Sequence, residues 1–481
     1  MKKILLILVL VNIVVYTFSQ NHEIKIRVKA VNTGEVYLGH YYGENQYVID
    51  TASIDKKGFA TFKGEKKLDG GVYLVLFQSR DMTYFEILIG DDQEFSIETD
   101  TLDFYKKNIK AKGSIDNKEF FEFKKNDRKF GVESYYLQTS YKKYSTNKDS
   151  VNAIRARLTA LGKKREKFLD KTVTSVKSKT LKAIVNLMRD IEIPSLNIPE
   201  NSSNKDSIRM VKYNYYKTHF WDYVDFSDST ILKTQVFEPK LKRYMTQIIV
   251  QRADTIIKEG KLLIEKAKSC PKMYRFMVEY MLGYADKSKL MGMDKVFVEI
   301  AKTYYLKGLA TWADSSRISK IKSSVEKTEP NLVGNAAPDL QRLESVDNKY
   351  YTLYDIKSEY TVLAFWEPKC GHCKVEIPKL YKVYENLKAK GIDVEVMAIY
   401  TQIKREPWEK FIEEKEITDW LNVYDKYQFT NFRMLYNIFA TPSIYLLDKN
   451  KKIIGKKLGA EQVEKFLISI DKLKKGEIPK K

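Results

Sequence analysis

The chain is poor in three features that often help to assign a function: cysteine, histidine and long hydrophobic runs. Three cysteines among 481 residues are too few for disulfides to hold the fold together. Of the four histidines, His22, His40 and His219 form no ligand spacing with the cysteines. The apolar run Ile4 to Val15 is shorter than the ~20 residues of a membrane span. These absences exclude a disulfide-stapled scaffold and leave the cysteines at 370 and 373 for reactivity.

Positive charge is abundant, with 84 lysines and arginines against 63 acidic residues and a net charge of +21. A nucleic-acid role usually concentrates basic residues on one face or tail, whereas here they interleave with acids along the whole chain. This pattern favours a solvated lysine-rich surface and no nucleic-acid partner. Attraction to acidic envelope surfaces or acidic client proteins stays open.

The first residues have the pattern of a secretory signal peptide. Lys2 and Lys3 precede the apolar run, and Thr17-Phe18-Ser19 supplies the small residues of a cleavage site before Gln20. No cysteine follows, which excludes lipoprotein attachment. We therefore predict a signal peptide over residues 1–19 and a location in the periplasm or cell envelope, with an uncleaved membrane anchor as the alternative.

The remaining chain changes its hydrophobic period twice. Short strands with alternating apolar residues, separated by turn signals, predict an all-β sandwich over residues 20–113. Helical spacing then predicts an all-α domain over residues 114–327, in which the stripe Met273 to Met281 indicates a buried face in preference to a binding groove. Cys270 is expected to be buried and inert. A linker over 328–338 leads to residues 339–481, where strands alternate with helices as in an α/β sheet.

The residues that say most about function lie in the stretch from Thr361 to Leu380. The β-branched and aromatic run Thr361 to Trp366 predicts a buried strand, and helical spacing resumes beyond Cys370-Gly371-His372-Cys373. Cys370 is then at a helix N-terminus, where free backbone N–H groups and the helix dipole lower the pKa of a thiol. Cys373, one turn further, can close an internal disulfide and release a bound partner. The two cysteines could instead form half of a zinc site or a purely structural disulfide. The sequence has no second C-x-x-C that would complete a zinc site.

Strand, C-x-x-C and helix together resemble the thioredoxin superfamily, and within it the TlpA/ResA-like thiol:disulfide oxidoreductases of bacterial envelopes, from about Gly334 to Lys475. The resemblance implies a cis-proline facing the sulfurs, which matches Pro442, and a substrate contact at Thr441. Trp366 is assigned to substrate binding with them. The β and helical regions similarly resemble segments found before thioredoxin modules in Bacteroidota proteins.

Three neighbours of the cysteines are assigned supporting roles. Glu376 lies three residues after Cys373, where the family has its active-site acid, and is predicted to carry protons for Cys373; the alternative is a solvated glutamate favoured by the helix dipole. Lys369 replaces the family's usual tryptophan. Lys369 and His372 are predicted to make the pair more oxidising by placing positive charge beside the Cys370 thiolate.

The sequence thus predicts an exported enzyme that exchanges disulfides with envelope client proteins, with an envelope electron donor or acceptor and no cofactor beyond the redox-active pair. Reductase and isomerase directions both stay open. One alternative is an envelope binding or scaffold protein with a secondary thioredoxin module. Another is a peroxide-reducing redoxin, which is disfavoured because that resemblance requires threonine where Glu367 stands.

Overall fold

The computed structural model describes residues 22–78, 84–100, 109–194 and 205–476. The predicted signal peptide lies outside these residues. The chain forms two compact units: one contains the described residues up to Ile249 together with Lys266–Met273, and the other contains Val250–Glu265 and the residues from Tyr274 onward. In the described ranges, no helix combines the length and the apolar composition that crossing a bilayer requires.

The first unit begins with a β-sandwich, as predicted. Its two sheets have the strand orders β4-β1-β7-β8 and β3-β2-β5-β6, and they enclose one core of alternating inward-facing residues such as Ile24, Ile26 and Val28. The strands are β1 His22–Val28, β2 Glu35–Tyr42, β3 Asn45–Ser53, β4 Ala60–Gly64, β5 Gly71–Phe77, β6 Tyr84–Ile89, β7 Glu94–Thr99 and β8 Lys110–Lys112.

Helices follow the sandwich and continue into the second unit. The stripe Met273 to Met281 is a buried helix face, as predicted, with Met273, Met277 and Met281 fully enclosed. Cys270 is only half-buried, because it lies in the turn before a helix, and the expectation of a buried thiol was wrong. The helices are α1 Ile115–Lys143, α2 Lys148–Ser175, α3 Lys179–Met188, α4 Lys205–His219, α5 Phe237–Arg243, α6 Ala253–Lys266, α7 Pro271–Lys287, α8 Met293–Ile300 and α9 Ser315–Thr328.

The second unit contains a mixed sheet with the order β10-β9-β13-β12-β11-β14-β15. The interior strand β11 runs parallel to β12 and antiparallel to β14. Both faces of β11 are covered, since Val362 and Ala364 pack into one apolar cluster and Leu363 and Phe365 into another. The elements are β9 Leu343–Ser345, β10 Tyr350–Tyr351, β11 Tyr360–Trp366, α10 Gly371–Ala389, β12 Val394–Tyr400, α11 Arg405–Glu414, β13 Leu421–Tyr424, α12 Phe432–Leu435, β14 Ser443–Leu447, β15 Ile453–Lys456 and α13 Ala460–Lys474.

The segment predicted as a linker is packed against this sheet. Asn331 is fully buried, and its side chain donates to the carbonyl oxygens of Lys327 and Leu435 at 2.6 and 2.9 Å. The buried ammonium of Lys456 donates to the Asn331 side-chain oxygen at 2.8 Å and forms an ion pair with Asp294 of α8. Helices α8 and α9 therefore belong with the C-terminal sheet, and the compact unit does not begin at the predicted linker.

Candidate active site

The two cysteines lie where β11 ends and α10 begins. Cys370 is the N-cap residue of α10, with extended backbone angles of φ −76° and ψ 122°, and no side chain caps this helix end. The first N–H groups of α10 are consequently available to a sulfur anion. Cys370 is half-buried, whereas Cys373, one turn along the helix, is fully buried. Both are free thiols in the structure.

The environments of the two sulfurs shift their pKa values in opposite directions. Partial burial raises the pKa of Cys370, but hydrogen bonds from the Thr441 side chain and from the backbone N–H groups of Cys373 and His372 outweigh it, so the pKa is lowered as predicted. Burial, together with the hydrogen bond to Cys370, raises the pKa of Cys373 to about 12. Of the two sulfurs, Cys370 therefore has the lower pKa, and Cys373 stays protonated at neutral pH.

A second loop closes over Cys370. The Thr441–Pro442 peptide bond is cis, as the resemblance implied. Pairing of Phe365 with Ser443 across β11 and β14 fixes this loop beside the end of β11. The Cys370 thiol donates to the carbonyl oxygen of Thr441 at 3.1 Å. The backbone just before Pro442 is thus in direct contact with the Cys370 sulfur.

Glu367 joins the two loops, and sequence reasoning missed it as a site residue. Its carboxylate accepts from the Thr441 hydroxyl at 3.4 Å and from the Gln402 amide at 2.8 Å. Its carbonyl oxygen accepts from the N–H of Cys370 at 3.3 Å. The sequence feature that could have identified Glu367 is the presence of an acidic residue in the short loop between the buried strand and Cys370.

Glu376 lies on the same helix as the cysteines and contacts a different element. Its Oε1 accepts from the backbone N–H of Ala460, the first residue of α13, at 2.6 Å. Gly459 has no side chain with which to cap that helix, so Glu376 supplies the acceptor. This contact differs from the solvated first-turn glutamate considered as the alternative. The predicted proton-carrying role stays a prediction.

The remaining predicted residues divide between the surface and the core. Lys369 and His372 are exposed, and within the described residues their side chains make no hydrogen bond or ion pair. Their effect on the redox potential stays a prediction. Trp366 is 0% exposed and packs against Phe411 with the ring centroids 4.9 Å apart, so its assignment to substrate binding is corrected: it supports the site from the core.

Among the described residues, no three His, Cys, Asp or Glu side chains are grouped as ligands of a metal ion. A low-pKa cysteine at a helix start, a buried partner one turn away and a cis-proline opposite are the parts needed for disulfide exchange. Fold and site together define a thioredoxin-like oxidoreductase.

Known proteins agree with this class. Residues 333–456 match the AhpC/TSA family, and residues 22–120 and 159–331 match two domains of unknown function, DUF4369 and DUF5106. Thiol-disulfide oxidoreductase ResA of Oceanobacillus iheyensis is 30% identical over 144 residues, which are 29% of this chain and 69% of that protein. ResA of Geobacillus kaustophilus is 30% identical over 141 residues, 29% of this chain and 78% of that protein.

A solved structure is also similar to the C-terminal part of the chain. It is a domain of a possible thiol-disulfide isomerase from Cytophaga hutchinsonii, 43% identical, covering 30% of this chain and 97% of that domain, with a TM-score of 0.28. On the likeness to the ResA proteins, the protein belongs to the TlpA/ResA-like thiol-disulfide oxidoreductases, and that likeness spans less than a third of its length.

Proposed function

We propose that the protein is exported and exchanges disulfides with client proteins of the cell envelope through Cys370 and Cys373, with an envelope electron donor or acceptor and without a separate cofactor. The observation that carries this proposal is the contrast between the two sulfurs. Cys370 is partly accessible with a lowered pKa, whereas Cys373 is fully buried with a pKa of about 12. The signal-peptide pattern of residues 1–19 supports export.

In the reducing direction, the Cys370 thiolate attacks one sulfur of a client disulfide. The client's S–S bond breaks, a mixed disulfide forms, and the released client thiolate takes a proton from water. Cys373 then loses its proton and attacks the Cys370 sulfur, which expels the second client sulfur as a thiol. Two electrons have passed to the client, and the protein keeps the Cys370–Cys373 disulfide; the oxidising direction reverses these steps.

The second step requires a base, because the pKa of the Cys373 thiol is about 12. We assign this proton transfer to Glu376, one helical turn along α10 from Cys373. Thr441 and cis-Pro442 are proposed to guide the client backbone past Cys370, since the carbonyl of Thr441 already contacts its sulfur.

A trapping experiment tests the order of attack. With Cys373→Ser in the full-length protein, mixed disulfides with envelope proteins are expected to accumulate through Cys370, because the resolving thiol is gone. Cys370→Ser is the matched control and is expected to trap nothing. Trapping through Cys373 in the control would reverse the assignment, and absence of turnover with a generic disulfide in the wild type would favour a binding or scaffold protein.

A further inference from the structure

A groove of about 960 Å³ lies in the second unit next to the cis-proline loop. It is lined by the end of α7 and the residues that lead into α8, by the end of α9, and by the end of β15 with α13. Phe439 also lines the groove and is two residues from Thr441, so its backbone is within about 7 Å of the residue that contacts Cys370. We call this feature the lysine groove.

Large apolar side chains are exposed in the lysine groove. Leu290, Met291 and Phe439 keep 51%, 47% and 63% of their surface accessible. Phe466 and Leu458 are half-buried beside them, and both pack on the same apolar cluster as Cys370. Exposed apolar groups gathered in a concave surface are typical of a binding site, whereas single ones are ordinary.

Charge in the groove is predominantly positive. Five lysines and two aspartates line it, so three positive charges are in excess. Lys456 is neutralised by Asp294 and buried, whereas Lys289, Lys457 and Lys465 are exposed and form no ion pair with the described residues. A partner that covers the apolar groups has to pass these ammonium groups, and an acidic partner gains from doing so.

We propose that the lysine groove binds a client segment in which acidic and apolar side chains alternate, next to the disulfide that Cys370 attacks. The inference rests on the proposed function and names the class of client that the site prefers. An extended segment advances ~3.3 Å per residue and presents alternate side chains to opposite sides, so apolar residues can meet Leu290 and Phe439 while acidic residues meet the lysines. The groove thus selects the client, and the cysteines carry out the exchange.

Two synthetic disulfide peptides test the proposal with the full-length protein. Both contain the same disulfide loop, flanked on either side by Glu-Leu-Asp-Phe-Glu in one peptide and by Lys-Leu-Lys-Phe-Lys in the other. The wild type is expected to reduce the acidic peptide with a kcat/KM about tenfold higher than that for the basic peptide. The difference is expected to come from a lower KM, because a positively charged groove raises the local concentration of an acidic chain. Added salt is expected to diminish this preference, since the Debye length is about 8 Å at 0.15 M.

Charge reversal provides the matched comparison. Lys289→Glu/Lys457→Glu/Lys465→Glu is expected to abolish or invert the preference. Lys382→Glu/Lys415→Glu/Lys449→Glu changes the net charge equally at exposed lysines outside the groove and is expected to retain it. Leu290→Ser/Met291→Ser is expected to raise KM for the acidic peptide without changing kcat. All variants should reduce hydroxyethyl disulfide, which is small and uncharged, at the wild-type rate.

The outcomes separate this proposal from the proposed function. If the wild type reduces hydroxyethyl disulfide but treats the two peptides alike, the groove proposal is wrong and the oxidoreductase stands. If hydroxyethyl disulfide is not reduced, the proposed function fails first. If the groove variants leave the peptide preference intact but abolish a concentration-dependent dimer in sedimentation, the groove binds a second copy of the chain, which also overturns the proposal.

Discussion

Cys370 and Cys373 are three positions apart on one helix start, yet only one of them is chemically accessible. The lowered pKa of Cys370 comes from hydrogen bonds that favour its thiolate, and the raised pKa of Cys373 comes from burial. The sequence predicted the first of these, because a helix N-terminus is readable from the spacing. The contact between Cys370 and Thr441 joins residues 71 positions apart, which the spacing within the motif cannot predict.

Alkylation with iodoacetamide tests this difference in the reduced protein. The rate at which Cys370 is modified is expected to rise with pH to a plateau, because the thiolate is the form that reacts and protonation removes it as the pH falls. The midpoint of this rise is expected to lie below the ~8.5 of a free thiol. Cys373 should remain unmodified over the same range. Mass spectrometry of the labelled peptides identifies the site, and a midpoint at or above that of a free thiol would contradict the assignment.

The redox potential is a second property set by single residues. Lys369→Ala/His372→Pro is expected to lower the potential by about 30 mV for each pKa unit by which the two side chains stabilise the Cys370 thiolate. Charge that favours the thiolate favours the reduced form, so its removal makes the pair less oxidising. Equilibration in glutathione buffers measures this value, with Lys382→Ala as the control. Equal potentials in the wild type and the double variant would remove both residues from the tuning role.

Glu376 lies on α10 and binds the N-terminus of α13, so a substitution there tests the stability of α13 as well as the proposed proton transfer. Glu376→Ala is expected to lower the free energy of unfolding by about 1 kcal/mol, because the N-terminus of α13 loses its acceptor. Glu376→Gln keeps an acceptor oxygen and should cost less, about 0.3–1 kcal/mol, from the lost charge at the helix dipole. Urea unfolding of both variants measures the difference.

The glutamine variant also separates the two roles of Glu376. If this carboxylate carries protons for Cys373, Glu376→Gln slows disulfide reduction and changes its pH profile while the fold is retained. A rate equal to that of the wild type from pH 6 to 9 would leave Glu376 with the capping role alone.

Elements with strong alternation were predictable, and edge elements were not. The alternating pattern that predicted the β-sandwich is present in strands such as β1, where Ile24, Ile26 and Val28 are buried and the residues between them are not. In contrast, β3 was missed. It is an edge strand in which only Ala52 is buried, so its sequence shows no alternation of apolar and polar residues. The four residues of β13 were missed as well, because so short a run has no readable period.

Asn331 shows how the second unit extends beyond the thioredoxin-like sheet. It lies in the segment predicted as a linker, where proline and glycine predicted a turn and nothing in the local sequence indicated burial. Its side chain joins α9 to the sheet by binding Lys327, Leu435 and Lys456 together. A contact between residues more than 100 positions apart depends on the tertiary fold, which explains why the sequence did not predict it.

Asn331→Ala is therefore expected to lower the free energy of unfolding of the second unit by about 1–3 kcal/mol, since it leaves a buried ammonium and a buried carbonyl without this partner. Asn335→Ala is the control, because Asn335 is exposed and its side chain donates one hydrogen bond, to the carbonyl of Glu329. Differential scanning calorimetry of the full-length protein compares the two. Equal losses of stability in the two variants would mean that the buried hydrogen bonds of Asn331 stabilise this unit no more than the exposed one of Asn335.

Full burial of Cys373 limits which of the two sulfurs can meet molecules from solution. No thiol, peroxide or alkylating agent from solution can reach that sulfur while the fold is intact, so every electron pair has to enter or leave through Cys370. A covalent cap on that one atom, such as a glutathione, therefore occupies the single accessible sulfur of the pair. The same cap is removable from inside, because Cys373 can attack the capped sulfur and expel it. In the proposed mechanism this step releases the glutathione as a thiol and leaves the Cys370–Cys373 disulfide, so the protein re-enters the exchange cycle in its oxidised form.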